Sequence, residues 1–190
     1  MSDEPIDRIL DAAYASFARH GVRRTTMDDI ATAAQMSRPA VYQYVRNKDD
    51  AFRQLGTRLF DAALQRATAA AADDGRSVAA RLYGVLCAKL ELALQLERDS
   101  PHAGELLDAS ARLFGELFEG FIAATHGLLV GVLDSAAARG EIDLTGLRAA
   151  EIADVALALE RGLVHDPADP ERPLRQQRLG VDLIVAGLSR

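Results

Sequence analysis

The 190-residue chain has no tryptophan, only one cysteine, and few aromatic residues, which make up 5% of the sequence. A lone thiol cannot form an intrachain disulfide, so Cys87 excludes a disulfide framework and agrees with a reducing compartment. We interpret it as a small core residue. β-branched runs bounded by turn residues are also scarce, whereas alanine is abundant. Together these features predict an all-α fold.

Long hydrophobic runs and targeting signals are missing as well. The first eight residues, MSDEPIDR, are acidic and lead into no apolar stretch, so no secretory signal is expected. The longest uncharged run, 120–133, has 14 residues, which is too short to span a bilayer. We therefore expect a cytoplasmic protein without a membrane partner.

Patterns typical of catalysis are weak. The four histidines are dispersed, and no two have the i, i+4 spacing with a carboxylate that a metalloprotease requires. One cysteine excludes a thiolate zinc site, and no glycine-rich phosphate loop follows a strand. His102 and Glu105 form a one-sided H-x-x-E pattern, which falls short of a di-iron bundle. We expect no metal, no cofactor and no enzymatic activity.

A tight pair of short helical segments lies at about 26–45. Thr26 is a good N-cap and Asp29 can return a bond to it, so a helix is expected to begin at the next residue. A three-residue turn interrupts this helix and ends in Ser37, which can cap a second helix over about 38–45. Two short helices joined this closely form a helix-turn-helix, whose second helix can lie in the major groove of DNA.

The second helix and the nearby caps carry the side chains expected to contact DNA. Arginine can bind guanine, glutamine can bind adenine, and alanine leaves room for a thymine methyl, so base readout is predicted for Arg38, Ala40 and Gln43. Hydroxyl and amine groups are predicted to contact phosphate and fix the register; they belong to Thr26, Ser37, Tyr42, Tyr44 and Lys48. Either tyrosine can instead be a packing residue.

The distribution of charge supports a nucleic-acid partner although the net charge is −6. Residues 19–48 contain six basic and two acidic residues, a local charge of +4, which leaves −10 on the other 160 residues. A basic face on one small domain attracts phosphate, while an acidic body discourages non-specific binding elsewhere.

The same segment resembles the tetracycline-repressor (TetR) family of regulators. The resemblance rests on Gly21, Thr25-Thr26, Asp29-Ile30-Ala31, Ala34, Met36-Ser37, Val41-Tyr42, Asn47-Lys48 and the block RPAVYQYVRNK. One departure is Gln35, where the family usually has glycine; glutamine can enter the left-handed conformation at a modest cost. The match covers about the first 60 residues. It implies a homodimeric transcriptional regulator, most often a repressor, that binds double-stranded DNA and a small-molecule effector.

Helix and breaker signals along the chain predict about nine helices in two domains. The predicted domains are a three-helix DNA-binding domain over 4–62 and a larger helical ligand-binding and dimerisation domain over 63–190. The predicted helices are about 5–20, 27–34, 38–45, 48–72, 78–97, one opened by Ser100-Pro101, 113–139, 147–164 and 174–189. Gly21 is expected to stop the first helix.

The last two helices are apolar on more than one side, and such helices need two neighbours to cover them. They either complete the chain's own core or form a four-helix bundle with a second copy, and the TetR resemblance favours the bundle. The predicted interface comprises Ile152, Val155, Ala156, Leu159, Leu163, Leu179, Leu183 and Ile184. A two-fold dimer would present two recognition helices to successive major grooves, about 34–36 Å apart, on a palindromic operator.

An aromatic stripe in the predicted helix 113–139 indicates either plain core or an effector cavity, and the resemblance favours the cavity. The predicted lining is Phe60, Leu64, Leu82, Tyr83, Leu86, Cys87, Leu90, Phe114, Phe118, Phe121, Ile122 and Thr125. Few polar groups lie near it, which favours a largely hydrophobic effector. His126 is either a satisfied core histidine or a ligand contact. In the alternative hypothesis, the second domain is a dimerisation or protein-partner scaffold without an effector.

Overall fold

The computed structural model describes residues 4–104, 106, 115–163 and 168–188. Across these ranges the chain contains helices and no strand, which confirms the predicted all-α fold. The described part of the chain contains eight helices in this order: α1 (Pro5–Arg24), α2 (Met27–Ala33), α3 (Arg38–Val41), α4 (Lys48–Ala72), α5 (Val78–Asp99), α6 (Gly115–Ala138), α7 (Ala149–Arg161) and α8 (Arg172–Leu188). The helix predicted to open at Ser100-Pro101 falls partly on residues 105 and 107–114, which lie outside the described residues.

The first helix ends differently from the prediction. Gly21 has φ 76° and ψ 162°, a conformation that interrupts the helix and is essentially restricted to glycine. One further helical turn then extends α1 to Arg24. The buried Thr25 hydroxyl donates to the Gly21 carbonyl at 2.8 Å, which fixes the entry into the helix-turn-helix.

The chain divides into two compact units. The N-terminal unit comprises Met1–Asp61 with Ala93–Glu119, and the C-terminal unit comprises Ala62–Leu92 with Gly120–Arg190. The N-terminal unit therefore takes a later segment of chain and differs from the continuous domain 4–62 that the sequence predicted. Helices α4, α5 and α6 each contribute residues to both units.

The core of the N-terminal unit is built around α1 and the helix-turn-helix. Phe17 of α1 packs edge-on against Phe52 of α4, with ring centroids 5.2 Å apart and an interplanar angle of 82°. Ile30, Val41 and Val45 are buried in the same core. These contacts anchor both short helices by their apolar sides.

The C-terminal unit has a separate core formed by α5, α6, α7 and α8. Leu86, Leu129 and Leu133 are among its fully buried side chains. A Cβ at Gly84 would lie 2.6 Å from the Cβ of Ala70, so glycine permits the close approach of α5 to α4. A largely buried ion pair between Lys89 and Glu160 joins α5 to α7.

Helix α6 is more apolar than the uncharged run 120–133 indicated. It has 24 residues and a mean hydropathy of 1.5 over its most apolar window, and 33% of that window is buried inside the structure. By length and composition alone this helix is long and apolar enough to cross a membrane, although its uncharged run has only 14 residues. A helix that packs in a protein core passes the same test, so this composition is weak evidence for a membrane span.

Candidate nucleic-acid interface

The helix-turn-helix forms through the capping contacts that its sequence predicts. The Thr26 hydroxyl accepts from the backbone N–H of Asp29 at 3.2 Å, and the Asp29 carboxylate accepts from the backbone N–H of Thr26 at 2.8 Å. Gln35 then has φ 54°, the left-handed conformation expected where the family usually has glycine. Ser37 accepts from the N–H of Ala40 at 3.3 Å and caps α3.

The regular part of α3 is shorter than the predicted helix 38–45. It covers Arg38–Val41, and residues 42–44 form turns. Backbone bonds from the N–H of Tyr42 to the Arg38 carbonyl and from Val45 to Val41, each 3.1 Å, continue the helical path. The segment therefore remains a rod of about two turns, which is the form needed to present side chains to a groove.

Burial divides this rod into an inner and an outer side. Val41 and Val45 are buried, as their i, i+4 spacing predicts. Arg38, Gln43 and both tyrosines are exposed, whereas Ala40 is half-buried. The predicted base-reading and phosphate-binding side chains of this segment thus lie mainly on its outer side; these are Arg38, Gln43, Tyr42 and Tyr44.

Arg38 is held by two neighbouring side chains. Its Nη1 lies 3.2 Å from each carboxylate oxygen of Asp28, and its Nη2 donates to the Tyr42 hydroxyl at 3.3 Å. The guanidinium carbon is 5.5 Å from the centroid of the Tyr42 ring. The bond to Tyr42 and the charge of Asp28 raise the pKa of Arg38, so this group stays a cation.

The residues predicted to contact phosphate differ in how many hydrogen bonds their polar atoms already make within the chain. The Thr26 hydroxyl donates to Asp29 Oδ2 at 2.7 Å, so it would have to leave its cap to bind phosphate. The Ser37 hydroxyl acts as an acceptor in its cap and keeps its own proton to donate. Lys48 Nζ donates to the Arg23 carbonyl at 3.1 Å, but an ammonium group has three N–H donors and can bind a second acceptor.

The basic residues of this segment form an accessible surface. Exposed side chains belong to Arg19, Arg23, Arg24, Arg38 and Arg46. Exposed guanidinium groups in the unit that contains α3 are able to contact a phosphate backbone. Sequence reasoning missed the contact between Asp28 and Arg38, because residues ten positions apart on different helices give no periodic signal.

The predicted effector residues are distributed over both units. In the N-terminal unit, the rings of Phe60 and Phe118 are 6.1 Å apart. In the C-terminal unit, Phe121 and Thr125 are buried on α6, and Thr125 donates to the Phe121 carbonyl at 2.8 Å. Cys87, Leu90, Leu82 and Leu86 are buried, and Leu64, Tyr83 and Ile122 are half-buried. Phe114 lies outside the described residues.

One apolar cavity lies within the C-terminal unit. Its lining comprises Leu82, Leu86, Leu129, Leu133, Ile152, Ala153, Ala156, Val181 and Ile184. Its volume is about 10 Å³, which is room for about one water molecule. Only Leu82 and Leu86 of the predicted effector residues belong to this lining.

Polar groups near the same core have partners that the sequence did not reveal. The guanidinium carbon of Arg178 lies 3.6 Å from the centroid of the Tyr83 ring. Burial and a hydrogen bond with Cys87 raise the pKa of Tyr83 to about 12, and burial raises the pKa of the Cys87 thiol. His126 lies 3.4 Å from both the Ala150 carbonyl and Asp154, which favours the satisfied histidine over the ligand contact.

The residues predicted for the dimer interface belong to two groups. Ile152 and Ala156 are buried in the chain's own core, and the half-buried Ile184 lines the cavity, so these three residues contribute to packing within the chain. The α7–α8 surface comprises Val155, Leu159, Leu179 and Leu183, which are 59%, 36%, 60% and 65% exposed. Leu163 is half-buried. The apolar stripe predicted from spacing is therefore wider than the exposed face.

Comparison with known proteins gives a family match in the N-terminal unit. Residues 9–55 match the model of bacterial regulatory proteins of the tetR family. A probable acrEF/envCD operon repressor of Escherichia coli is 43% identical over 47 residues, which are 25% of this chain and 21% of the relative. An uncharacterized HTH-type transcriptional regulator of Bacillus subtilis is 37% identical over 65 residues, 33% of this chain and 34% of the relative. The matches thus span between a fifth and a third of these relatives.

Solved structures resemble the chain over nearly its whole length. A TetR transcription regulator from Haloarcula marismortui has a TM-score of 0.78 at 20% identity and covers 98% of each chain. SmeT, the repressor of the Stenotrophomonas maltophilia multidrug efflux pump SmeDEF, has a TM-score of 0.72 at 22% identity, with 99% of this chain and 92% of SmeT covered. At these identities the likeness establishes the fold.

A helix-turn-helix followed by an all-helical body defines the class of TetR-type regulators. The family match covers the motif and the structural likeness covers the rest. Residues 9–55 thus match the family of bacterial regulatory proteins named tetR, and the whole chain shares the fold of the solved TetR-type structures.

Proposed function

We propose that the chain is a sequence-specific DNA-binding transcriptional repressor of the cytoplasm. The observation that carries this proposal is the outer side of α3, where Arg38 and Gln43 are exposed beside Tyr42 and Tyr44. These side-chain types bind base edges and phosphates, and their exposure leaves them accessible to a duplex. The named repressors among its relatives and neighbours support the same function.

The proposal includes a homodimer on a palindromic operator. The α7–α8 surface presents four large apolar side chains to solvent on two adjacent helices. Contiguous apolar surface of this kind marks an interaction site, and a second copy of the same two helices covers it with two-fold symmetry. Two α3 helices about 34 Å apart would then enter successive major grooves.

The proposal further includes release from DNA by a small, largely hydrophobic effector. A SmeT–triclosan complex is among the structural neighbours, with a TM-score of 0.75 and 24% identity to this chain. The cavity in the C-terminal unit is lined by aliphatic side chains, which suits an apolar compound. An effector that binds one conformation better shifts the population by its differential affinity, typically ~1–3 kcal/mol of coupling.

The small size of the cavity favours a second candidate function. Sites for drug-sized ligands have volumes of about 300–1,000 Å³, whereas this cavity has about 10 Å³. The C-terminal unit would then be a dimerisation or protein-partner scaffold without an effector. The two candidates share DNA binding and differ only in the response to small molecules.

DNA binding is tested by selecting bound duplexes from a random pool with the purified chain and then measuring affinities for variants. Gln43→Ala should cost ~1–3 kcal/mol at one base pair and relax the preference there, because a bidentate contact is lost. Lys48→Ala should weaken all sequences alike and reduce the salt slope by roughly 1. If the wild type binds no duplex at low salt, or if Gln43→Ala weakens every sequence equally, the assignment is wrong.

The effector is tested by titrating triclosan into the complex with the selected operator. A repressor of the proposed kind should lose affinity for DNA by about 5- to 150-fold at saturation. Leu86→Phe, which fills the cavity lining, should abolish this response while leaving affinity for DNA in place. No effect of triclosan or of other apolar compounds on DNA affinity or melting temperature supports the scaffold instead.

A further inference from the structure

Asp28 is an acidic residue placed directly beside the proposed DNA-reading side chains. It lies in the first turn of α2, and its exposed carboxylate contacts Arg38 of α3. An acid at this position is unexpected in a surface that attracts phosphate, because it cancels one of the local positive charges. We propose that Asp28 is a positioning residue that keeps Arg38 on a guanine edge and away from the phosphate backbone. This inference rests on the proposed function.

The contacts restrict Arg38 from two helices at once. On the α2 side, both carboxylate oxygens of Asp28 lie 3.2 Å from Nη1 and accept from it. On the α3 side, the Tyr42 hydroxyl accepts from Nη2 at 3.3 Å. The Tyr42 ring also lies 5.5 Å from the guanidinium carbon. A guanidinium group has five N–H donors, so these contacts leave donors available for the two acceptors of a guanine edge.

The pair contributes little to folding stability. The side chains of Arg38 and Asp28 are 54% and 66% exposed, and exposed ion pairs are weak because water and salt screen them. The main effect of the pair is therefore to restrict the conformations of the Arg38 side chain. A long cationic side chain that is ordered before binding loses less freedom when it contacts a base.

The carboxylate also decides between two kinds of acceptor on DNA. A free arginine beside a duplex binds phosphate as readily as a base edge, and phosphate occurs at every step of every sequence. Asp28 already occupies one side of the guanidinium and repels a phosphate that approaches it. Specificity for a G·C pair is the expected consequence.

The test compares Asp28→Asn with Asp49→Asn on the selected operator and on an unrelated duplex. Both variants remove one negative charge from the first turn of a helix in the same unit, so they match in net charge. Asp28→Asn should reduce discrimination at the base pair read by Arg38 about tenfold and bind the unrelated duplex more tightly. Its salt slope should steepen by roughly 0.9, the value of one added phosphate contact. Asp49→Asn should leave discrimination at that base pair unchanged.

Two further variants separate positioning from other roles. Asp28→Glu keeps the carboxylate and should restore most of the discrimination. In an Arg38→Ala background, Asp28→Asn should have no further effect on that base pair, because the two residues act through one contact. Melting temperatures of all variants should remain close to that of the wild type, since the exposed pair is weak.

Several outcomes would overturn the inference while the proposed function stands. If Asp28→Asn and Asp49→Asn changed discrimination at this base pair equally, the loss of one negative charge would explain the result without any positioning of Arg38. A uniform loss of affinity on every sequence, or a large drop in melting temperature, would make Asp28 a structural residue. An additive effect in the Arg38→Ala background would make it an independent contact. Failure of the wild type to bind any duplex would instead overturn the proposed function, and this inference with it.

Discussion

The two units of the chain differ in the sequence distance between the residues that form their functional surfaces. In the N-terminal unit, the caps, the turn and the outer side of α3 all lie within residues 26–48. In the C-terminal unit, the cavity draws its lining from four helices between Leu82 and Ile184. The first surface is specified by local hydrogen bonds, and the second depends on long-range packing.

The two functional surfaces also differ in the types of residue that form them. The N-terminal surface consists of exposed arginine, glutamine and tyrosine side chains, which a partner can reach without any change in the core. The cavity residues are aliphatic and enclosed, so a partner must displace packed side chains to reach them. DNA binding is therefore expected to tolerate changes in the C-terminal core, whereas an effector response is not.

The largest expected effect concerns the two cores. Phe17→Ala in the N-terminal unit removes a fully buried ring that packs against Phe52, and such changes cost about 3–5 kcal/mol. Leu133→Ala in the C-terminal unit removes a comparably buried side chain at about 2–5 kcal/mol. Chemical denaturation followed by circular dichroism measures both losses. At a temperature where both variants are folded, only Phe17→Ala should weaken DNA binding.

The independence of DNA binding from the C-terminal core would be contradicted by a loss of DNA affinity in Leu133→Ala. If Leu133→Ala weakened DNA binding as much as Phe17→Ala at equal fraction folded, the reading surface would depend on the C-terminal core. Analytical ultracentrifugation of both variants is the necessary control, because a weakened dimer would produce the same loss of affinity through avidity.

The α7–α8 surface gives the next effect. Leu179→Glu combined with Leu183→Glu places two charges on the most exposed leucines of this surface, and apposed copies would repel each other across it. The variant should be monomeric at micromolar concentration, as sedimentation would show. Loss of the second half-site should weaken operator binding on the order of 100-fold.

A matched control uses another exposed leucine outside the α7–α8 surface. Leu147→Glu adds one such charge, half that of the double variant, at a side chain that is 51% exposed. It should leave both the sedimentation profile and operator affinity unchanged. If the wild-type chain sediments as a monomer, the proposed dimer is wrong. If the double variant is still a dimer, the interface lies outside the α7–α8 surface.

The same contrast explains how much of the structure was predictable. The capping box of Thr26 and the cap by Ser37 are local features, and each was expected from the residue and its immediate neighbours. The left-handed Gln35 is local too, but only the resemblance to a family with glycine at this position indicated it. Helix α4 covers its predicted span 48–72. Its start is also fixed locally, because the Asn47 side chain accepts from the backbone N–H of Asp50 at 2.8 Å.

Roles that depend on tertiary packing were less predictable. The i, i+3, i+4 stripe on α7 grouped Ile152 with Val155, but the first is buried and the second is 59% exposed. Periodicity identifies an apolar face and does not say whether its own chain or a second copy covers it. The contact of Arg38 with Asp28 was missed because only the turn geometry brings α2 and α3 together.

Gln177 offers a smaller effect in the C-terminal unit. Its side chain is fully buried, and neither amide atom has a hydrogen-bond partner among the described residues. A buried unpaired polar group costs about 1–3 kcal/mol, so Gln177→Met, which keeps length and flexibility, should raise the free energy of unfolding by a similar amount. Denaturant melts measure the gain. A loss of stability would instead indicate a partner that the amide finds in solution, such as a buried water.

The smallest expected effect tests the local signal that defines the reading surface. Thr26→Ala removes the side-chain cap of α2 and should lower stability by about 1 kcal/mol. The Thr26 bonds lower the pKa of Asp29, so their contribution is present above the ordinary carboxyl pKa and is lost as pH falls through the lowered value. Denaturation curves of wild type and variant should therefore converge in acid. Thr57→Ala, at a half-buried position inside α4, is the control because it removes a threonine hydroxyl that caps no helix start. A constant difference between wild type and Thr26→Ala at every pH would show that Asp29 does not contribute through the cap.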